Sequence, residues 1–414
     1  MKIAMLVYEF PPKIVGGLGT YASEITRQFI IKGHDVSVFT MNDDEGTLPV
    51  REIWRGIEIY RPKHVDISDS LPLIMTEDVK RWGRGIDLFS KVLVYNCLSA
   101  AKLINEVILE QSTNYDIVVA HDWLSSIAGV AVKKELDLPM VFHVHSTENG
   151  RTMGMGSKVI SGIEQRSGDL ADLIITVSHA MAEELSTLNF DLGKVRVCYN
   201  GVDPEKYSLN SVSKEKAAEV RSRYGIRDDD PMALFLGRLI WVKGVDKLLM
   251  AVPKVLEKIP NFKILIVGVG EMEQYLRKIV SDLKIEDAVK FCFNFLQEEE
   301  RIAYYAACDV AVFPSLYEPF GIVALEAMSM EKPVVVGAAG TSGLREIVVN
   351  SGQEQCGFHV NPHEPADIAH GIIQALNDDE RRRWMGKNGR SRVLKEFTWD
   401  RVAEKTIKIY KEVH

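Results

Sequence analysis

Asp309-Val-Ala-Val-Phe-Pro-Ser-Leu-Tyr-Glu318-Pro-Phe-Gly-Ile-Val-Ala-Leu-Glu326 carries the fold: an apolar run turns sharply into a helical pattern, with a carboxylate on each side of the helix start. Asp309 to Pro314 has the make-up of a buried parallel strand. Gly321 to Met328 reads as the helix that follows, with Glu318 on the loop between them. Seven residues separate the two glutamates. At about 1.5 Å of rise per residue, Glu326 lies roughly 8 Å along from the helix start, about the separation of a diphosphate from its ribose. A helix start carries unsatisfied N–H groups and about half a positive charge, so the amides near Phe320, Gly321 and Ile322 suit phosphate. The Glu326 carboxylate suits two ribose hydroxyls. Glutamates flanking a helix start are commonly just solvated, so the rest of the chain has to carry the functional reading.

Working outward, short apolar runs alternate with amphipathic stretches, the pattern of a doubly wound α/β sheet, and the pattern occurs twice. In the first half the strands are expected at Ile3 to Val7, Asp35 to Phe39, Ile117 to Ala120, Met140 to His145, Leu173 to Val177 and Val195 to Cys198. The charged stretch Asp203 to Asp230 is the expected linker and entry helix. Strands resume at Met232 to Leu236, Lys263 to Val267, Val289 to Phe293, Val310 to Phe313 and Val334 to Val336. Trp399 to Tyr410 has apolar positions at helical spacing, with Thr398 as N-cap. The expected division is 1–205, 206–390 and a C-terminal helical segment 391–414. Two such halves place a ligand cleft between them, at the carboxyl ends of the strands.

Composition sets looser bounds. A chain of 414 residues with 46% hydrophobic content suggests two domains of about 200 residues each. A formal net charge of -8 argues against a nucleic-acid binder, which needs clustered cations. Five cysteines without Cys-x-x-Cys spacing read as reduced core thiols of a cytoplasmic protein, not a disulfide frame or zinc site. The N-terminus runs straight into a strand pattern, unlike a signal peptide. No stretch of about 18 uncharged apolar residues is seen, so a spanning helix is not expected and membrane contact would be peripheral.

Several polar elements fall at strand ends. Pro11-Pro-Lys13-Ile-Val-Gly16-Gly17-Leu-Gly19 follows the first strand; by itself a Gly-Gly pair is a turn, but at a cleft edge Gly16 and Gly17 let backbone amides approach a ligand. Gly237-Arg238 and Lys243-Gly244 follow the first strand of the second half and have the make-up of a diphosphate clamp, Arg238 by its fork and Lys243 as a point charge. The Asp228-Asp-Asp230 run has metal-binding spacing but precedes a strand, and is expected to be a solvated loop. His143 and His145 point to one side of their strand, His143 as a core residue and His145 at the strand terminus. His121 and Asp122 end another strand, and Asp122 and Lys13 are candidates for an acceptor hydroxyl. Gly268-Val-Gly270 reads as a turn.

The Glu318-x7-Glu326 segment resembles the signature of retaining glycosyltransferases, and nearly the whole chain resembles glycosyltransferase family 4, whose members have the GT-B fold: two Rossmann-like domains facing a cleft, with the last helix crossing back to the first. The resemblance implies an enzyme that moves a hexose, most readily glucose, from a nucleoside diphosphate sugar to a hydroxyl acceptor with retention and without a metal or other cofactor. It places Glu318 on the donor sugar, Arg238 and Lys243 on the leaving diphosphate, and Glu326 on ribose. His145, Gly16 and Gly17 lie against the sugar, with His145 positioning it, and Gly268 and Gly270 lie near the base. Asn200-Gly-Val-Asp203 matches the family's domain junction. Asn294 departs from the usual glycine, which leaves the base open. The Gly-Gly-Leu-Gly loop and Gly340-Thr-Ser-Gly343-Leu-Arg-Glu346 are similar to glycogen-type synthases, so an α-glucan is the first acceptor expected. A lipid-linked or cell-surface glycan is the alternative, and Lys80-Arg-Trp82-Gly-Arg84 has the character of a membrane contact, an acceptor groove or a plain helix face. An epimerase of the same architecture and a non-catalytic sugar-binding protein are the readings from other classes; the latter would be expected to lack Glu318, Arg238 or Lys243.

Overall fold

The computed structural model describes residues 1–14, 16–43, 46–63, 65–67 and 85–414; the Lys80–Arg84 cluster lies outside them. Among the described residues fourteen strands form two sheets. The first holds β1 (Lys2–Leu6), β2 (Asp35–Phe39), β3 (Arg51–Trp54), β4 (Ile57–Tyr60), β5 (Ile117–His121), β6 (Met140–Val144), β7 (Leu173–Thr176) and β8 (Val195–Val197). The second holds β9 (Met232–Leu236), β10 (Lys263–Val267), β11 (Val289–Cys292), β12 (Val310–Phe313), β13 (Val334–Gly337) and β14 (Gly357–Val360). Runs such as Met232-Ala-Leu-Phe-Leu236 are buried at every position because helices cover both faces, as parallel sheets require.

The sheet orders are β3-β4-β2-β1-β5-β6-β7-β8 and β11-β10-β9-β12-β13-β14, parallel except for the β3–β4 pair. In each, the order reverses beside the first strand: β1 pairs with both β2 and β5, and β9 with both β10 and β12. Such switch points open a crevice at the carboxyl ends of the strands. The glycine loop follows β1 and the Arg238–Lys243 loop follows β9, so both sit at a switch point.

Two elements were not expected. The β3–β4 hairpin turns at Arg55 and Gly56, both at positive φ, on a short partly solvated strand whose alternation is weak. β14 is a four-residue edge strand. Six helices bear on the site: α1 (Gly17–Ile31), α2 (His179–Thr187), α3 (Glu298–Ala307), α4 (Ile322–Ser329), α5 (Asp379–Glu396) and α6 (Trp399–Tyr410).

The second domain hands back to the first at Phe397, whose carbonyl accepts from the Val202 amide at 2.8 Å. Helix α6 then packs Trp399, Val402, Ala403 and Ile407 into the core that holds Ile3, Ile25 and Phe29. The division expected at 390/391 falls inside α5. Thr398 does occupy the N-cap position of α6, but its side chain makes no capping bond.

Three further expectations are corrected. Asp230 is buried, not solvated, because it pairs with the Arg227 guanidinium at 2.9 Å and accepts from the Arg227 amide at 3.0 Å. That loop also lies at the amino end of β9, away from the cleft. Cys97 is exposed, while the other four thiols are buried and all five are free. The helix over Gly85–Glu110 is long and apolar enough to cross a membrane. Its polar side chains nevertheless serve the first domain: the Asn96 amide donates to the Leu124 carbonyl, and the Tyr95 hydroxyl to the Phe39 carbonyl, each at 2.8 Å.

Candidate active site

The second domain supplies a charged wall. Lys243 lies on the turn after β9, and its Nζ donates to Glu318 Oε2 at 2.6 Å. Ser315 Oγ reaches the same oxygen at 3.4 Å. The Glu318 backbone is held at both ends: its amide donates to the Thr341 carbonyl and its carbonyl accepts from Gly343, so the carboxylate is fixed over the start of α4. Gly321, at φ 105, gives the abrupt turn into that helix, and a β-carbon there would meet Leu344 at 2.4 Å. Among the described residues no protein acceptor takes the amide of Phe320, Gly321 or Ile322. Arg238 stands exposed beside the lysine turn with no protein partner among the described residues. These are the groups a diphosphate requires: two cations and a free helix start.

Glu326 has a different setting. Its Oε1 accepts from Tyr207 at 2.9 Å and Arg301 at 3.2 Å, and its Oε2 accepts from Tyr305 at 2.9 Å. Sequence reading missed all three partners. Arg301 and Tyr305 are four apart on α3 and so share one helix face, a spacing that was available. Tyr207 comes from the linker, and nothing in the sequence ties it to α4. The Arg301 guanidinium is held firmly protonated, chiefly by the Glu326 charge and against its own burial.

The first domain supplies a neutral wall. His121, His143 and His145 stand together against the Tyr21 ring, whose centroid is 4.7 Å from that of His145. Burial lowers the pKa of each; His121 is further lowered by both neighbours and His143 by His145, whereas Asp122 opposes the fall at His145. His143 Nε2 lies 2.9 Å from the Tyr410 hydroxyl of α6, which makes it the core residue expected. His121 Nδ1 lies 3.0 Å from His145 Nε2. Asp122 commits one of its two carboxylate oxygens to the backbone: Oδ1 accepts from the His145 amide at 2.7 Å and the Ser146 amide at 3.4 Å, so it shapes the loop after β6. Beyond that loop burial raises the Glu184 pKa and pushes Glu164 up to about 8.

The walls meet. A β-carbon on Gly17 would lie 3.7 Å from Ile322 Cδ1, which sets the glycine loop against the start of α4. The Gly16 amide is taken by Glu9 Oε2 at 3.2 Å, and the Lys13 amide by the Phe10 carbonyl at 3.1 Å. The Thr147 amide, two residues beyond His145, donates to the Tyr317 hydroxyl at 3.2 Å, beside Glu318. Glu346 accepts from His179 and Ala180 at the start of α2, at 2.9 and 2.7 Å, and from Tyr199 at 3.1 Å. The glutamate of the expected glucan-type segment thus joins the domains. Gly268 and Gly270 abut the Gly237 and Leu239 carbonyls, where a β-carbon would lie 1.9 and 2.2 Å away, so packing alone requires them.

Two Rossmann-like domains whose switch points face each other, with a cation–carboxylate pair on one side and a glycine loop on the other, define an enzyme of GT-B architecture. Known proteins agree. The "Glycosyltransferase Family 4" profile matches residues 15–206 and "Glycosyl transferases group 1" matches 216–392. An uncharacterized glycosyltransferase of Methanocaldococcus jannaschii is 35% identical, over 99% of this chain and 98% of its own. A glycogen synthase of Mycobacterium tuberculosis is 29% identical over 99% and 94%. A sucrose-phosphate synthase structure from Thermosynechococcus elongatus superposes with a TM-score of 0.80 at 24% identity, over 99% and 98%. The chain belongs to glycosyltransferase family 4.

Proposed function

We propose that this glycosyltransferase moves glucose from a nucleoside diphosphate glucose to a hydroxyl of an α-glucan, with retention of the anomeric configuration and without a metal. The observation that carries this reading is the 2.6 Å contact of Lys243 with Glu318 at the mouth of the second switch point, facing the glycine loop. The likeness to a glycogen synthase over almost the whole chain supports the acceptor.

With donor bound, the diphosphate lies between Arg238, Lys243 and the amides at the start of α4. Those groups stabilise charge where it develops as the C1–O bond to the diphosphate breaks. Glu318 faces the sugar hydroxyls and favours the oxocarbenium-like state. The acceptor hydroxyl forms its bond to C1 on the face the diphosphate leaves, and its proton passes to a diphosphate oxygen. Glu326 accepts from the ribose, and His145 contacts the sugar. The closed contacts between the walls exclude water, without which hydrolysis competes. The five free thiols suit a reducing compartment, the cytoplasm included.

The test is a panel of nucleoside diphosphate sugars, with and without maltooligosaccharide, scored for released diphosphate and chain extension. Extension from a glucose donor, with the α-linkage read by NMR, is the expected result. Diphosphate release without extension would overturn the α-glucan acceptor, and release of an altered nucleotide sugar would replace transfer by epimerisation.

A further inference from the structure

The pairing of His121 with His145 has a consequence for which nitrogen faces the cleft. Both imidazoles are neutral, since burial lowers both pKa values, and their facing nitrogens are 3.0 Å apart. One proton therefore lies between Nδ1 of His121 and Nε2 of His145, and each ring has only one to place. Two arrangements satisfy the contact. If His145 donates, His121 must carry its proton on Nε2. That atom is buried with no hydrogen-bond partner, so the arrangement strands an N–H without an acceptor. Either unpaired atom costs its desolvation, but orphaned buried N–H groups are rarer in native proteins than under-satisfied acceptors. If His121 donates instead, its Nε2 is left as a bare lone pair and His145 must carry its proton on Nδ1. That nitrogen has no protein partner among the described residues, yet it is not among the buried unpartnered atoms. His145 is only part-buried, so this nitrogen is not sealed in the core.

We propose that His121 is a positioning residue that locks His145 in its Nδ1–H form, so that the first domain offers the donor sugar a neutral hydrogen-bond donor. Recognition then falls on an acceptor oxygen, such as that of a sugar hydroxyl or ring. The scaffold on which this rests is rigid. The His121 amide donates to Ser125 Oγ at 2.8 Å, the His145 amide to Asp122 at 2.7 Å, and the Tyr21 ring packs edgewise on His145. A neutral donor also leaves the positive charge that forms on the sugar unopposed from this side. The inference about the sugar rests on the transferase reading above; the proton's place on His145 does not.

The experiment is long-range 1H–15N correlation on histidine-labelled full-length protein at neutral pH, with the His145 signals identified by their loss in His145→Asn. The expected spectrum has His145 protonated at Nδ1 and bare at Nε2. In His121→Phe the pattern should shift toward Nε2–H, and the donor KM should rise about fivefold, the worth of one neutral hydrogen bond. Should that variant fail to fold, His121→Leu serves the same comparison, because it too offers Nε2 of His145 no donor. An Nε2–H His145 in the unaltered protein overturns the proposal. So does one tightly held equivalent of zinc by elemental analysis, because the three histidines place ligand nitrogens within 4.8 Å of one another, the donor set of a zinc site. An Nδ1–H signal from protein that turns over no nucleotide sugar would sustain the lock and break the transferase reading.

Discussion

The two walls of the cleft solve opposite problems. The wall from the second domain keeps charges: Lys243 against Glu318, Arg238 free beside them, and Arg301 against Glu326. The wall from the first domain suppresses most of them, with three histidines whose pKa values burial lowers and two buried carboxyls, Glu164 and Glu184, whose values it raises; Asp122 and Arg151 are its charged exceptions. A leaving diphosphate needs fixed positive charge, which acts most strongly where water is absent. A sugar that becomes positive as its bond breaks is best left without cations on its other side. Separating the two environments by domain lets each be built on its own sheet, and closure brings them together. The Glu346 bond to α2 is one of the contacts that closes them.

The largest effect is expected on the charged wall. On the proposed mechanism Lys243→Ala removes a fixed cation from the departing diphosphate, and turnover should fall by about 10²–10³, the range for loss of one preorganised group. Folding should persist, because Lys243 is on a part-buried turn outside the core strands and Glu318 keeps its backbone bonds and Ser315. Steady-state rates together with a thermal melt check both halves of this statement. Unchanged turnover would move the diphosphate off this wall.

The neutral wall is tested by pH. Glu164 is buried, and its carboxyl titrates at about 8 in the folded chain against an ordinary 4.5, because desolvation outweighs the nearby Arg151 and the Glu148 amide. Between those values the folded state holds a proton that the unfolded state has released, so stability falls as pH rises from about 5 to 8. The loss is on the order of 4 kcal/mol over the window. Glu164→Gln should flatten that slope. Denaturant midpoints at pH 5 and pH 8 for both proteins provide the check, and parallel losses would show that Glu164 is charged after all.

How much of this was legible depended on whether a feature is local in the chain. The strand-turn-helix at Asp309 to Met328 and the positions of Arg238 and Lys243 after β9 follow from runs of apolar residues and the loops that bound them, and the structure places them as expected. Gly268 and Gly270 mark a limit: their spacing reads as a turn and only the family resemblance sets them near the base, while neighbouring carbonyls already demand glycine at both. Asp122 has the right residue type at the right strand end, but its Oδ1 is taken by amides more than twenty residues away. The partners of Glu326 come from three separate segments, which no one-dimensional pattern links.

Those partners yield the smallest and sharpest prediction. A carboxylate has about four acceptor positions, and three donors already reach Glu326. Tyr207 contacts it from the linker, in the narrow pocket shared with Thr20, Glu24 and Ile322 where the two walls meet. If the hydroxyl of Tyr207 orients the carboxylate for ribose, Tyr207→Phe should raise the donor KM about tenfold at unchanged kcat, the effect of one lost hydrogen bond to a charged group of about 1.5 kcal/mol. If instead ribose must displace that hydroxyl, the same change lowers KM. The expected sign is a rise, because Arg301 and Tyr305 hold the carboxylate from one side of α3 only and Tyr207 is the restraint from the other element. A fall would make Tyr207 a competitor for the ribose position, and the linker, not the wall of the second domain, would then set how tightly the nucleotide is held.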